Sequence, residues 1–316
     1  MRISDTLTEL IRLVSPKHVN PIGTLYGGYM LEWIVDAGTI AAMNFAESHV
    51  VLGYLDRIHF ITPVKSGDVV VYRAWVVNAR RSSMTTLVES YVKRPEGVQL
   101  ATIARLIFVK LGPDDRPAPV GRALEPGEGW ERALYQYFAK WREEVEPALR
   151  REAAEGDMPT ISNLQVMPED AIYGSVMYGG RLLYYLDQFA AIAAFNYKPN
   201  IYVTASVNAM NFRRPIYIGD IVEVRGDVVY VGKTSLEVGF RVYAYGLRGR
   251  RYVAGGYFTF VNMTGGRPTP IGEELVKDPD ALKRKEENLA EAKRLKELRP
   301  KYDERVPAFA DAIGAA

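Results

Sequence analysis

The chain of 316 residues contains no cysteine. That excludes disulfides, thiolate metal ligands and a cysteine nucleophile. Histidine is scarce: His18, His49 and His59 are the full set. They leave little material for a multi-histidine metal site, and are all that a Ser-His-Asp triad could draw on. No apolar run approaches the roughly 18 residues of a membrane span. The opening Met1-Arg2-Ile3-Ser4-Asp5 is not a signal peptide. Neither sign of charge dominates: 40 Lys and Arg face 38 Asp and Glu, a formal charge of +2. Without a basic excess, nucleic acid and anionic membrane are not expected partners. The expected compartment is the cytoplasm, and no metal or cofactor is expected.

What is present is an ordinary globular composition, 48 % hydrophobic and 25 % charged, in a chain long enough for two domains. The chain also repeats itself once. At an offset of 152, Gly27-Gly28 recurs as Gly179-Gly180, Ile40-Ala41-Ala42 as Ile192-Ala193-Ala194, and Gly67-Asp68 as Gly219-Asp220. Phe60 and Pro63 recur as Phe212 and Pro215, Ser83 as Ser235, and Phe108-Val109 as Phe260-Val261. About 17 of the roughly 57 positions from Gly27 to Ser83 are identical at this offset, so chance is no explanation. A repeat this long can fold alone, which implies two copies of one domain rather than a solenoid.

Each copy reads alike. A polar loop leads to a Gly-Gly pair. An apolar helix follows, over 29–46 in the first copy, with Met30, Trp33, Ile34, Ala37 and Ala41 at helical spacing. Being apolar nearly all round, it is expected to be buried. Four β-branched and aromatic segments come next: 50–60, 68–78, 84–93 and 100–109, then 202–212, 221–230, 236–245 and 252–262. A buried helix followed by consecutive antiparallel strands predicts an α+β fold with a sheet wrapped around a helix. The expected divisions are a first domain over 1–120, a linker helix within 121–160, a second domain over 161–270 and a charged helical tail over 271–316. Lys and Glu alternate in that tail, so it reads as a solvated helix packed on a neighbour.

Asn20-Pro-Ile-Gly23-Thr-Leu-Tyr-Gly27-Gly28, an apolar helix, Phe60-x-x-Pro63-x-x-x-Gly67-Asp68 and Arg81-Ser82-Ser83 form an ordered set found twice. This set resembles the hot-dog-fold acyl-CoA thioesterases, in the branch of the bacterial YciA-like enzymes and the cytosolic brain-type acyl-CoA hydrolase. The resemblance implies two tandem hot-dog domains fused into a pseudo-dimer, with sites between them. It implies that each site joins an Asn of one unit, three residues before the loop Gly, to an Asp of the other, seven residues after Gly-Gly. In the first copy the Asn is Asn20, but the Asp position holds Val35, with Asp36 about 100° further round the helix. In the second copy the Asp is Asp187, while the loop from Glu169 to Ser175 holds no Asn and is one residue longer or shifted. The losses are complementary. One site keeps Asn20 and Asp187, and the other keeps neither.

The resemblance therefore implies hydrolysis of acyl-CoA to a free acid and coenzyme A, which enters only as part of substrate and product. Asp187 is assigned as general base or nucleophile, and Asn20 as the group orienting water or the carbonyl. Apolar neighbours such as Leu186 and Phe189 are expected to raise the Asp187 pKa. Free N–H groups at Gly27-Gly28 or Gly179-Gly180 are candidate oxyanion donors, and the sequence does not choose between the pairs. Either pair also reads as a close-packing site. Arg80, Arg81, Ser82 and Ser83, the matching Lys233, Thr234 and Ser235, and Arg213 and Arg214 are candidates for coenzyme A phosphates. His18 has no counterpart in the second copy and reads as structural, while His59 is replaced by Asn211 and reads as filling. Three alternatives stay open: a hot-dog hydratase or dehydratase, a non-hydrolytic acyl-CoA sensor, and a structural subunit. The resemblance also implies a homo-oligomer, with three double units favoured.

Overall fold

The computed structural model describes residues 1–114, 116–150, 158–296 and 306–314. In the first copy β1 (Thr8–Leu13) precedes helix α1 (Gly27–Ala46). Then come β2 (Val50–Phe60), β3 (Val69–Ala79), β4 (Ser83–Arg94) and β5 (Gly97–Lys110). Helix α2 (Trp130–Arg150) lies between the copies. The second copy has β6 (Thr160–Gln165), a hairpin of β7 (Ala171–Ile172) and β8 (Val176–Met177), and helix α3 (Gly179–Tyr197). It continues with β9 (Ile201–Phe212), β10 (Ile221–Val231), β11 (Ser235–Gly246) and β12 (Gly249–Thr264). The tail adds β13 (Arg267–Pro268), β14 (Leu275–Val276), α4 (Asp280–Lys296) and α5 (Phe309–Ala312). Adding 152 to the bounds of β1, β3 and β4 gives the bounds of β6, β10 and β11.

All strands except β7 and β8 form one sheet, whose main path runs β1-β3-β4-β5-β2-β9-β12-β11-β10-β14. The two copies join where β2 pairs antiparallel with β9, Tyr54 opposite Asn211 and His59 opposite Ser206. Asn211 is the repeat counterpart of His59, and Ser206 that of Tyr54, so the pairing obeys a twofold axis within one chain. This is the expected α+β architecture of two hot-dog domains with continuous sheets.

Helices α1 and α3 pack on each other and on the strands of their own copies. Their apolar sequence explains this: Ile34, Val35, Ala37 and Ala42 are fully buried, as are Leu183, Leu186 and Ala194. Helix α1 starts at Gly27, two residues before the periodicity predicts. Tyr26 is extended and its carbonyl accepts from Tyr29 N–H (3.1 Å) and Met30 N–H (3.2 Å), which draws both glycines into the first turn.

Strands β3 and β4 are buried along most of their length on both faces. Helices α2, α4 and α5 supply the second cover: Trp141 meets Tyr54, and Phe138 meets Phe309. The charged tail is docked by ion pairs. Glu291 of α4 binds the buried Arg105 and lies 3.6 Å from His59 Nε2, and Arg284 grips Glu237 at 2.6 Å. Among the described residues no helix is long and apolar enough to cross a membrane.

Candidate active site

Asp187 is fully buried in the middle of α3. One turn earlier on the same face, the Tyr184 backbone meets the start of α1. A Cβ on Gly28 would lie 2.8 Å from the Tyr184 carbonyl oxygen. A Cβ on Gly27 would lie 2.5 Å from Thr204 Oγ1 and 2.9 Å from each Asp187 carboxylate oxygen. Real Cβ atoms do not tolerate such approaches, so glycine is required at both positions. Gly28 serves the helix crossing, and Gly27 opens the α1 N-terminus onto the carboxylate.

Thr204 of β9 donates to Asp187 Oδ1 at 2.6 Å. The second oxygen, Oδ2, is buried with no hydrogen-bond partner, and so is the hydroxyl of Tyr26 beside it. Burial pushes the Asp187 pKa up to about 6, against the opposing pull of Thr204, of the nearby Tyr26 hydroxyl and of the Gly28 N–H. The N–H groups of Gly27 and Gly28 have no backbone acceptor among the described residues. The site thus presents the carboxylate beside the Gly27 and Gly28 N–H groups at the positive end of a helix, with the Gly28 N–H turned towards Asp187 and neither N–H spent on a backbone acceptor. That arrangement can take a proton from water and receive a developing oxyanion.

The other end of the twofold has the same frame without the chemistry. Gly180 meets the Glu32 carbonyl as Gly28 meets that of Tyr184, with the Cβ position 3.2 Å away. The Gly179 Cβ position, however, meets Leu52 at 3.0 Å. Leu52 is the counterpart of Thr204, as Val35 is of Asp187. Asp36 does not replace the lost carboxylate. It accepts from Tyr178 at 2.7 Å and pairs with Arg12 at 3.3 Å, so its oxygens are engaged.

Asn20 turns its amide onto its own loop. Its Oδ1 accepts from Ile22 N–H (3.1 Å) and Thr24 N–H (3.2 Å), and its Nδ2 donates to Thr24 Oγ1 (2.8 Å). The two loops have equal length. Val19 bridges Leu25 as Ala171 pairs with Met177, which makes Ile172 the counterpart of Asn20. Only the left-handed turn residue shifts by one, from Gly23 (φ 81°) to Tyr173 and Gly174 (φ 57° and 81°).

The two arginine and lysine turns lie at opposite ends. Ser235 pairs with Val261, and Val261 with Val203, next to Thr204. Lys233, Thr234 and Ser235 therefore stand on the Asp187 side. Ser83 pairs with Val109, and Val109 with Val51, next to Leu52, which puts Arg80, Arg81, Ser82 and Ser83 on the other side. Arg80 pairs with Glu146 at 3.3 Å and Ser83 accepts from Arg142 at 3.0 Å. Arg213 and Arg214 also line the Leu52 side. His18 is structural: its Nδ1 accepts from Ser15 N–H at 3.1 Å, and its ring meets Tyr29 and Trp33 edge-on. His59 is buried beside Glu291. Among the described residues no three His, Asp or Glu side chains converge as for a metal.

Thr204 and Tyr26 are the groups that the sequence alone did not single out. The signal for Thr204 existed: Leu52 against Thr204 is a third position where one copy is polar and the other apolar. Thr in a β-rich segment carries no signal by itself.

Residues 22–98 and 174–248 each match the thioesterase superfamily. The chain is 32 % identical to the acyl-CoA thioester hydrolase YciA of Salmonella typhimurium over 113 residues, 34 % of this chain and 85 % of that protein. It is 25 % identical to the human cytosolic acyl coenzyme A thioester hydrolase over 323 residues, 94 % of this chain and 85 % of the human protein. Among solved structures it is similar to an acyl-CoA hydrolase from Staphylococcus aureus, solved with butyryl coenzyme A. That match has 30 % identity and a TM-score of 0.44, and covers 48 % of this chain and 92 % of that one.

Proposed function

This chain belongs to the thioesterase superfamily and is an acyl-CoA thioester hydrolase; we propose that it works through one competent site, built from α3 and β9 of the second domain and the α1 N-terminus of the first. The observation that carries this reading is the buried Asp187 with a free Oδ2 facing Gly27. Asp187 takes a proton from water as the water oxygen attacks the thioester carbonyl carbon. The N–H groups of Gly27 and Gly28 receive the oxyanion. The C–S bond then breaks, and the proton passes to the departing coenzyme A thiolate. A base with a pKa near 6 is mostly ionised at pH 7.5, yet stronger than an ordinary carboxylate.

Asn20 holds the loop that delivers Tyr26 and Gly27, and the Nδ2 hydrogen that Thr24 does not take orients the attacking water once substrate enters. Lys233, Thr234 and Ser235 receive the coenzyme A phosphates at this end. Only groups of this chain enter the scheme, with coenzyme A as part of the substrate and no separate cofactor. The protein works in the cytosol, a placement supported by its human relative's name. It assembles as a homo-oligomer of three chains, supported by Ile11 and Leu13 exposed on one sheet edge and Ile161 on the other. Light scattering that gave a monomer would refute the assembly.

Thiol release from a panel of acyl-CoAs, short to long, tests the activity. The protein has no cysteine, so a thiol-reactive dye reads coenzyme A alone. The expected result is release from at least one chain length. Binding of coenzyme A with no release across the panel would instead favour a non-hydrolytic sensor.

A further inference from the structure

The end of the twofold that lost its catalytic groups has not closed up. A cavity of about 260 Å³ remains there, lined by Leu52, Ile172, Met177, Gly179 and Leu182, with Arg213 and Arg214 also on its wall. Protein interiors pack close, and a retained apolar cavity of this size approaches that of small-ligand sites, ~300 Å³ and above. Val35, Leu52 and Ile172 replace the three polar groups Asp187, Thr204 and Asn20, and Leu52 and Ile172 form part of a mainly apolar cavity wall with Thr39, Tyr178 and Tyr217.

Charge has moved the other way. The counterparts of Arg213 and Arg214 at the competent end are Ile61 and Thr62, and those of Arg80 and Arg81 are Gly232 and Lys233. The Arg80–Arg81 turn lies at the same end, since Ser83 beside it pairs with Val109, which lines the cavity. Four arginines thus stand at the degenerate end, where the competent end has one lysine. Arg80 is held by Glu146, and Arg213 donates to the Leu149 carbonyl at 3.3 Å. Arg81 and Arg214 are exposed, and neither has a partner among the described residues. Arginine suits phosphate better than lysine does, through its planar fork of donors.

We propose that this second end binds intact acyl-CoA without hydrolysing it, the acyl chain in the cavity and the phosphates on the arginines. The inference rests on the reading of one competent and one degenerate site. It adds a binding equivalent that turnover does not report.

Calorimetric titration of the full chain with S-octyl-coenzyme A, a thioether that cannot be hydrolysed, tests it. Two equivalents per chain are expected. Ile172→Trp fills the cavity and should leave one equivalent, with thiol release from octanoyl-CoA unchanged. Arg214→Glu, a surface change that leaves folding alone, should weaken the second equivalent by about tenfold or more, the scale of one charge-assisted phosphate contact. One equivalent in the unmodified protein, insensitive to both changes, would overturn the proposal while leaving the hydrolysis reading untouched. Displacement of the second equivalent by sodium octanoate, with Arg214→Glu neutral, would also overturn it and assign the cavity to free acids. Two equivalents together with full thiol release in Asp187→Ala would refute the catalytic assignment alone.

Discussion

Asp187→Asn should make the protein more stable and nearly inactive at once. The carboxyl is fully buried and its pKa rises from 3.8 to about 6. That is roughly two units at ~1.4 kcal/mol each, or about 3 kcal/mol. The sign follows from proton binding: the folded state holds this proton more tightly than the unfolded chain does. The penalty is therefore absent below pH 3.8, grows as pH rises to about 6, and is constant above. Asparagine has the same shape and no charge to desolvate. Thr204 can still donate to its Oδ1, and the unpartnered Tyr26 hydroxyl becomes an acceptor for its Nδ2. At pH 7.5 the variant should melt higher by on the order of 5 °C. The gain should vanish near pH 4. Thiol release should fall by roughly 10²- to 10⁴-fold, the usual worth of a general base. Thermal melts of both proteins at pH 7.5 and pH 4 check this. An unchanged or lower melting point at pH 7.5, or an equal gain at both pH values, would refute the reasoning.

Other substitutions probe the same frame. Thr204→Val removes a charge-assisted hydrogen bond worth roughly 1.5–3 kcal/mol, and should move the acidic limb of kcat/KM up by about one to two units from its starting point near pH 6. A limb that stays in place would show that Asp187 does not govern it. Gly27→Ala drives a methyl into Thr204 and the carboxylate and should abolish turnover, while Gly179→Ala presses only on Leu52 and should retain it; equal losses would contradict the assignment of the glycine pairs. Glu291→Gln has the opposite stability sign to Asp187→Asn. The neighbouring His59 and the Arg105 guanidinium hold the carboxyl down at about 2 against the opposing effect of burial, so their contribution is full above pH 4.5 and lost as pH falls towards 2. The variant should be destabilised at pH 7 by about 3 kcal/mol, since a buried arginine loses its partner. Denaturant melts that show no loss at pH 7 would contradict the docking role of α4.

Much of this was legible in the chain because it carries its own comparison. The two copies align at one offset through β1, β3 and β4, and their buried helices share a face pattern. Asp187 stood out because the resemblance implies an Asp seven residues after Gly-Gly, and the repeat then showed Val35 in its place in the first copy. The same comparison at Leu52 and Thr204 held the third group, but a threonine in a strand is common enough to pass unseen. Which glycine pair serves the site was not legible. It follows from the crossing of α1 over α3, which sets Gly27 against a residue 160 positions away. Equal loop lengths around Asn20 and Ile172 were obscured by the one-residue shift of the left-handed turn. The docking of the tail was hidden for another reason: a charged helix does not name its partners, and Arg105 and His59 lie far back in β5 and β2.

The central claim is that one carboxylate per chain performs the hydrolysis. Thiol release by Asp187→Ala and Asp36→Ala, side by side at pH 7.5, tests it most directly. The account predicts near-complete loss in Asp187→Ala with folding intact, and nearly unmodified rates in Asp36→Ala, whose carboxylate is tied to Arg12 and Tyr178. Full activity in Asp187→Ala, or an equal loss in both, would contradict it.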